Sequence, residues 1–210
     1  MAGTDEVGRG CLAGPVVAAA VILKTKIDNL KDSKKLTEKK RELLSKIILE
    51  NSFFGFGIVS NLEIDNINIL NASLLAMKRA ILNLESKPAL VLIDGIHKPD
   101  LDVPMQTIIG GDSIEPAISA ASIIAKVYRD NLMTVYDKKY PEFNFKKNKG
   151  YGTKEHLDGI NKFGLSCWHR KTFGTNKNQF ENNEFPEIQF KEMEAKDILE
   201  KEELKELPIT

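Results

Sequence analysis

GTDEVGRG, residues 3–10, joins two adjacent carboxylates, Asp5 and Glu6, to a glycine–arginine–glycine loop. A buried carboxylate must be paired or must bind a cation, and a divalent cation would supply that partner. The flanking glycines allow φ > 0 and close approach of a ligand, while an arginine offers a fork of donors suited to phosphate. The stretch therefore indicates metal-dependent phosphoryl chemistry. The alternative is a charged turn with both carboxylates in solvent, and it is preferred unless more ligands follow downstream.

Two more carboxylates follow predicted buried strands. Residues 89–93 are a short apolar run that ends in Asp94, and a second run, 107–109, is followed by two glycines and Asp112. Open α/β sheets bind their ligands at the carboxyl ends of such strands. Asp112 has an alternative role as the cap of a helix predicted over residues 115–136, although a helix N-terminus after two glycines can also position a ligand.

The rest of the hydrophobic pattern predicts a mixed α/β sheet flanked by helices. Residues 16–23 and 53–59 are apolar runs typical of strands. A helix is predicted to begin at Thr37 with an apolar face at residues 43–48, and residues 61–84 repeat apolar side chains at the spacing of one long amphipathic helix. This order of elements predicts that the four acidic residues form one cluster: Asp5, Glu6, Asp94 and Asp112.

Such a cluster predicts bound cations, because four unpaired carboxylates would repel one another. A ligand set made of oxygen atoms suits Mg²⁺ or Mn²⁺, and two such ions can promote in-line displacement at phosphorus. Phosphodiester hydrolysis is the expected reaction. One geometric condition applies: neighbours on a regular strand face opposite sides, so Asp5 and Glu6 reach one site only if the strand ends or twists there.

The net charge of zero hides an uneven distribution. Residues 181–210 carry ten acidic and four basic side chains, a net charge of −6, which leaves +6 on residues 1–180. Residues 138–177 carry ten basic against three acidic side chains, with aromatic residues interleaved. Two interpretations stay open: a nucleic-acid-binding surface, or solvated lysines over an ordinary aromatic core.

The remaining composition excludes several classes. No apolar run approaches the ~20 residues that span a bilayer and no signal peptide is recognised, so we expect a cytoplasmic protein. Cys11 and Cys167 form no C-x-x-C pair, which gives no support for a zinc site or a disulfide framework. Apolar spacing over residues 190–207 predicts an amphipathic helix docked on the core.

Five motifs in order resemble those of the prokaryotic ribonuclease HII family, over about residues 3–175. They are Gly3 to Pro15 (GTDEVGRGCLAGP), Asp32 to Leu36 (DSKKL), Leu92 to Gly95 (LIDG), Gly111 to Ser113 with Ile118 to Asp130 (GDS…ISAASIIAKVYRD), and Lys149 to Thr153 (KGYGT). The resemblance implies a ribonuclease H-like catalytic core over residues 1–137. It also implies a C-terminal helical substrate-binding extension. We expect this extension, with the acidic tail that lies outside the matched motifs, to cover residues 138–210 and to pack with the core as one unit.

The resemblance implies an endoribonuclease that cleaves RNA in RNA–DNA hybrids and at single ribonucleotides embedded in duplex DNA. It implies cofactors Mg²⁺ or Mn²⁺, a place in ribonucleotide excision repair and DNA replication, and no membrane partner; we expect a monomer. The family's catalytic, metal-binding carboxylates match Asp5, Glu6, Asp94 and Asp112. Its substrate-contacting positions match Gly8, Arg9 and Gly10, which bind the ribose 2′-hydroxyl, Tyr151, which stacks on the following deoxyribose, and Lys34, Lys35 and Lys149.

Three alternative functions compete with this assignment. Residues 8–13 also fit the dinucleotide-binding pattern G-x-G-x-x-A, but Gly14-Pro15 interrupts the helix that this pattern requires. Ribonuclease HIII has a similar site, but its usual GKG loop and N-terminal extension are missing here. A non-catalytic nucleic-acid-binding module would gain nothing from four carboxylates placed against phosphate.

Overall fold

A computed structural model describes residues 1–28, 30 and 36–174. By their internal contacts they form two compact units. The core unit comprises Met1–Gly10 and Pro15–Arg129, and the C-terminal unit comprises Cys11–Gly14 and the chain from Asp130 onwards, of which residues 130–174 are described. Lys34, Lys35 and the helix predicted over residues 190–207 lie outside the described residues.

The core unit contains one mixed five-stranded sheet, as predicted. Its strands are β1 (Ala2–Val7), β2 (Val16–Leu23), β3 (Ser52–Val59), β4 (Val91–Asp94) and β5 (Met105–Ile108). Their order across the sheet is β3-β2-β1-β4-β5. β1, β2 and β3 pair antiparallel, whereas β1, β4 and β5 run parallel. The parallel strands therefore share an edge where their carboxyl ends meet.

Six helices are described: α1 (Glu38–Glu50), α2 (Asn61–Ile67), α3 (Ile69–Leu82), α4 (Pro116–Lys139), α5 (Phe145–Asn148) and α6 (Lys154–Phe163). α1 begins after Thr37, whose side chain accepts a hydrogen bond from the Lys40 N–H, as a capping residue should. Its predicted apolar face is only partly buried, because Leu44 and Ile48 pack inwards while Leu43 is 63% exposed.

The prediction of one helix over residues 61–84 is wrong, because the chain breaks at Asn68. That residue has φ +66° and ends α2. Its side-chain oxygen then accepts from the Leu70 and Asn71 N–H groups at 3.0 and 3.1 Å, which caps α3. The apolar repeat continues through the break, since both helices pack inward-facing side chains.

The C-terminal unit is built around aromatic side chains. Phe143 and Phe145 are buried, and the rings of Tyr136 and Trp168 stack with centroids 3.7 Å apart. The aromatic-core interpretation of this basic segment is therefore right for these residues. Tyr151 and Phe163, 43% and 56% exposed, are the large aromatics of the described segment that face solvent.

Two other observations bear on protein class. None of the described helices is long and apolar enough to cross a membrane. No disulfide joins Cys11 and Cys167, both of which lie in the described part of the chain.

Candidate active site

Asp5 and Asp94 are brought together by the pairing of β1 with β4. Thr4 lies opposite Ile93 in this parallel pair, and the next residue on each strand is the carboxylate. Asp5 is 7% exposed. The sheet register therefore places two acidic side chains next to each other at the carboxyl edge, as the sequence predicted.

Asp112 reaches the same cleft from beyond β5. It lies in a 3₁₀ turn, Gly111–Ser113, and is 3% exposed. Its backbone carbonyl accepts a hydrogen bond from the Ser119 hydroxyl. Because α4 begins at Pro116, Asp112 does not occupy the capping position of that helix, and its side chain lines the cleft with Asp5, Glu6 and Asp94.

Glu6 lines this cleft although it lies inside β1 beside Asp5. The Asp5 carboxylate accepts a hydrogen bond from the Glu6 backbone N–H at 2.7 Å, so it turns towards the carboxyl end of the strand. β1 ends one residue after Glu6, at Val7. The condition set by strand geometry is met, because both residues lie where the strand ends.

The electrostatics of the cleft are those of crowded carboxylates. Burial raises the pKa of Asp5 to about 8; the charges of Glu6 and Asp94 add to this, and a hydrogen bond from the Ser122 hydroxyl opposes it. Burial also raises the pKa of Glu6, opposed by an ion pair with Arg9 at 3.1 Å. A bound cation would relieve this repulsion.

The cleft fits a hard divalent cation by its chemistry. The buried Oδ1 of Asp94 has no hydrogen-bond donor among the described residues, and the carboxylates offer oxygen ligands of the kind Mg²⁺ and Mn²⁺ take. In the described residues no three acidic, histidine or cysteine side chains are already arranged around one point. A cation would therefore require the carboxylates to rotate towards it.

Three polar residues of the cleft were not predicted from the sequence. Ser122 and Lys126 of α4 and Arg41 of α1 line it, in a volume of about 390 Å³. Ser122 and Lys126 are four residues apart and hence on one helix face. A polar pair among small and apolar neighbours was the signal that could have indicated Ser122 and Lys126. Arg41 lies on a helix rich in charged residues and carried no such signal.

The glycine–arginine–glycine loop follows β1 directly. Gly8 has φ +94°, and a Cβ at this position would overlap the Nε of Arg129. Arg129 is fully buried and donates from Nε to the Pro15 carbonyl at 2.9 Å. Arg9 is exposed and its guanidinium pairs with Glu6. No helix follows the loop in the fully described stretch 8–15, which removes the dinucleotide-binding alternative.

Tyr151 and Lys149 belong to the C-terminal unit. The Tyr151 side chain is 43% exposed. Lys149 has φ +53°, and its ammonium donates to the Asp130 carbonyl and the Thr134 hydroxyl, both at 3.4 Å. The ammonium is thus tied to α4, while Tyr151 presents an accessible ring.

Comparison with known proteins agrees with these features. The ribonuclease HII family model matches residues 2–180. Ribonuclease HII of Pelagibacter ubique is 57% identical over 176 residues, which cover 82% of this chain and 95% of that protein. The chain belongs to the ribonuclease HII family. It is therefore an endoribonuclease of the ribonuclease H type, a hydrolase that acts on RNA–DNA and depends on divalent metal ions.

Solved structures support the same fold. Ribonuclease H2 of Pyrococcus horikoshii is 26% identical with a TM-score of 0.73, over 86% of this chain and 97% of that one. Ribonuclease HII of Archaeoglobus fulgidus, solved in complex with PCNA, is 26% identical with a TM-score of 0.70, over 82% and 94% of the two chains. The ribonuclease H-like fold and the preference for ribonuclease HII over ribonuclease HIII are confirmed.

Proposed function

We propose that this ribonuclease HII cuts the RNA strand of RNA–DNA hybrids and also cuts at single ribonucleotides embedded in duplex DNA. The observation that carries the proposal is the buried Asp94 Oδ1, which lacks a donor among the described residues and lies in a cleft with three other carboxylates. An oxygen atom in this environment calls for a cation.

Asp5, Glu6, Asp94 and Asp112 would hold two ions, Mg²⁺ or Mn²⁺. Bound there, the ions would activate water and stabilise the oxygen that leaves phosphorus. The products would be a 5′-phosphate and a 3′-hydroxyl.

The chain's own groups would hold and orient the reacting phosphate. The Ser122 hydroxyl keeps a hydrogen bond on Asp5 and fixes the direction of that carboxylate. Lys126 and Arg41 line the same cleft and supply positive charge for a phosphate oxygen.

Substrate choice would depend on sugar, not on base sequence. The backbone of Gly8, Arg9 and Gly10 would bond to the 2′-hydroxyl, the group that distinguishes RNA from DNA. Tyr151 would stack on the following deoxyribose through its exposed ring. Lys34, Lys35 and Lys149 would contact the strand; because the Lys149 ammonium donates to α4, its contact would need that side chain to turn.

The wider role is part of the same proposal. A catalytic core over residues 1–137 would act with a substrate-binding extension from residue 138. The enzyme would work as a cytoplasmic monomer in ribonucleotide excision and DNA replication.

The test uses a DNA duplex with one ribonucleotide, its all-DNA counterpart and an RNA–DNA hybrid, each with Mg²⁺, Mn²⁺ or EDTA. We expect a metal-dependent cut on the 5′ side of the ribonucleotide, and no cut in the all-DNA duplex. Cleavage of the hybrid with none of the single-ribonucleotide duplex would contradict the finer substrate assignment. Cleavage that persists in EDTA would contradict the metal assignment.

A further inference from the structure

Two histidines of the C-terminal unit form a buried hydrogen-bonded pair. His156 of α6 is 0% exposed and His169 is 2% exposed. Their Nε2 atoms lie 3.0 Å apart. The rings of Phe143 and Phe145 contact both imidazoles at centroid distances of 4.7–6.3 Å. One nitrogen must donate and the other accept, so the pair has a direction.

The partners at the two ends fix that direction. The Ser166 backbone N–H donates to His169 Nδ1 at 2.8 Å, so this nitrogen carries no proton. At the other end, His156 Nδ1 lies 2.8 Å from the Tyr151 carbonyl oxygen, which can only accept. His169 therefore carries its proton on Nε2 and donates to His156 Nε2.

The hydrogen bonds that run from His169 through His156, here called the histidine relay, end on the backbone of Tyr151. The Tyr151 carbonyl also accepts from the Thr153 N–H at 2.8 Å, and its N–H donates to the Asn148 carbonyl at 2.9 Å. Every backbone polar group of this residue is thus fixed within the unit, while its ring remains 43% exposed. The backbone is held in place, while part of the ring faces solvent.

The other end of the relay is tied to residues 12–14, which continue the glycine–arginine–glycine loop. Gly14 donates to the Trp168 carbonyl and Arg170 donates to the Leu12 carbonyl, both at 2.8 Å, on either side of His169. Leu12 in turn donates to the Gly150 carbonyl at 2.8 Å, next to Tyr151. Residues 12–14 are therefore hydrogen-bonded both to the segment around His169 and to the residue before Tyr151.

The two histidines must both stay neutral to keep their hydrogen bond to each other. A second proton on His156 would place two donors face to face across 3.0 Å, and a second proton on His169 would face the Ser166 N–H across 2.8 Å. Burial lowers the pKa of both histidines, and the titratable group that acts on His169 is His156. The pair also faces the two phenylalanine rings, the Ser166 hydroxyl and the Tyr151 carbonyl.

We infer that His156 and His169 are positioning residues, which act through the Tyr151 carbonyl to set the Tyr151 ring against the nucleic acid. The inference rests on the proposed function, in which that ring contacts the substrate. If the pair served only as core packing, an aromatic ring of similar size would replace His156 without affecting substrate binding.

The first experiment measures KM and kcat on the single-ribonucleotide duplex for two His156 variants. His156→Phe keeps the ring but loses the hydrogen bond to Tyr151, and we expect KM to rise roughly tenfold with kcat changed less than about twofold. His156→Asn can still donate near the Nδ1 position and should restore KM to within about threefold of wild type. Equal KM values for His156→Phe and wild type would overturn the inference.

The second experiment places His156→Phe in a Tyr151→Ala background. If His156 acts through Tyr151, the KM of the double variant should be less than about twofold above that of Tyr151→Ala alone, because the two sites are coupled. Full additivity would overturn the inference. The control is His97→Gln, which changes an exposed histidine of the core unit and should leave KM unchanged.

A third measurement needs no variant and no activity. Imidazole ¹⁵N spectra of the wild-type chain should show His156 protonated on Nδ1 and His169 protonated on Nε2. Any other pair of tautomers would overturn the relay even if His156→Phe failed to fold. If wild type did not cleave the duplex, the proposed function would fail, whereas these spectra would still test the relay.

Discussion

Gly8 has no room for a side chain, for a reason other than its proposed contact with a 2′-hydroxyl. A Cβ there would overlap Arg129, a fully buried guanidinium whose Nε is bonded to the Pro15 carbonyl. Because a buried charge is costly to move from its partners, Arg129 cannot simply give way. Packing therefore requires a glycine before Arg9, independently of the proposed contact with a 2′-hydroxyl.

Gly8→Ala should lower the free energy of unfolding by roughly 2–4 kcal/mol, from the cost of positive φ and the displacement of Arg129. The matched control is Gly95→Ala, because Gly95 has φ +95° and an added Cβ would meet nothing within 4 Å. It should lose only about 1–2 kcal/mol. Urea unfolding of both variants measures the difference, and equal losses would contradict the role given to Arg129.

Sequence reasoning predicted the acidic residues of the cleft but not all of its polar groups. Asp94 was predictable because it ends an apolar strand, and Asp5 because it adjoins a second carboxylate and a glycine–arginine–glycine loop. Ser122 and Lys126 were not predicted, because a serine and a lysine on a helix are ordinarily surface residues and the one cue was their shared helix face. Arg129 was missed for the same reason: its burial depends on carbonyls that the fold supplies and no local pattern encodes.

At the level of elements, the hydrophobic periodicity did not reveal the break at Asn68. α2 and α3 carry apolar residues in nearly one register, so the repeat over residues 61–84 resembled a single helix. The signal that marks the break is an asparagine, which tolerates positive φ and can cap the next helix. Strands were easier, because β2 and β3 are apolar runs of ordinary length.

Asn68→Ala should lower the free energy of unfolding by about 2–3 kcal/mol, since it loses the cap of α3 and forces alanine to φ +66°. Asn68→Gly should lose less than about 1 kcal/mol, because glycine adopts positive φ without strain and is also a favourable residue at a helix N-cap. Thermal and urea unfolding distinguish the two. If glycine were as costly as alanine, the backbone explanation of the break would be wrong.

On the scale of the whole molecule, stability should depend on the neutral histidine pair. Burial lowers the pKa of His169 to about 3, against an ordinary value of 6.5, and also lowers that of His156. Between pH 6.5 and 3 the unfolded chain therefore binds a proton that the folded chain does not. Stability is fully present above pH 6.5 and falls as the pH drops, by about 1.4 kcal/mol per pH unit for each such proton.

Trp168, the single tryptophan, reports on this transition because it stacks on Tyr136 in the same unit. Its fluorescence during urea unfolding at pH 7 to 4 should show the loss of stability. His169→Gln should be less stable at pH 7 but should have a shallower pH dependence than wild type. His97→Gln should parallel wild type. Parallel curves for all three proteins would contradict the assignment of a neutral His169.

The net charge of the whole chain was a poor guide to function. A net charge of zero gave no sign of a nucleic-acid partner. The aromatic residues of the basic segment suggested a stacking surface, but most of them form the core of the C-terminal unit. Which aromatic is exposed depends on three-dimensional packing, so Tyr151 could be singled out only by its motif.

The central claim is that the four carboxylates hold the ions that drive cleavage, and Asp94→Asn tests it most directly. This change keeps the shape of the side chain and removes its charge; Asp100→Asn makes the same change at an exposed carboxylate outside the cleft. Single-turnover cleavage of the one-ribonucleotide duplex is measured across a Mn²⁺ titration. We predict a loss of at least ~100-fold at every Mn²⁺ concentration for Asp94→Asn and a wild-type rate for Asp100→Asn. Wild-type cleavage by Asp94→Asn would contradict the account.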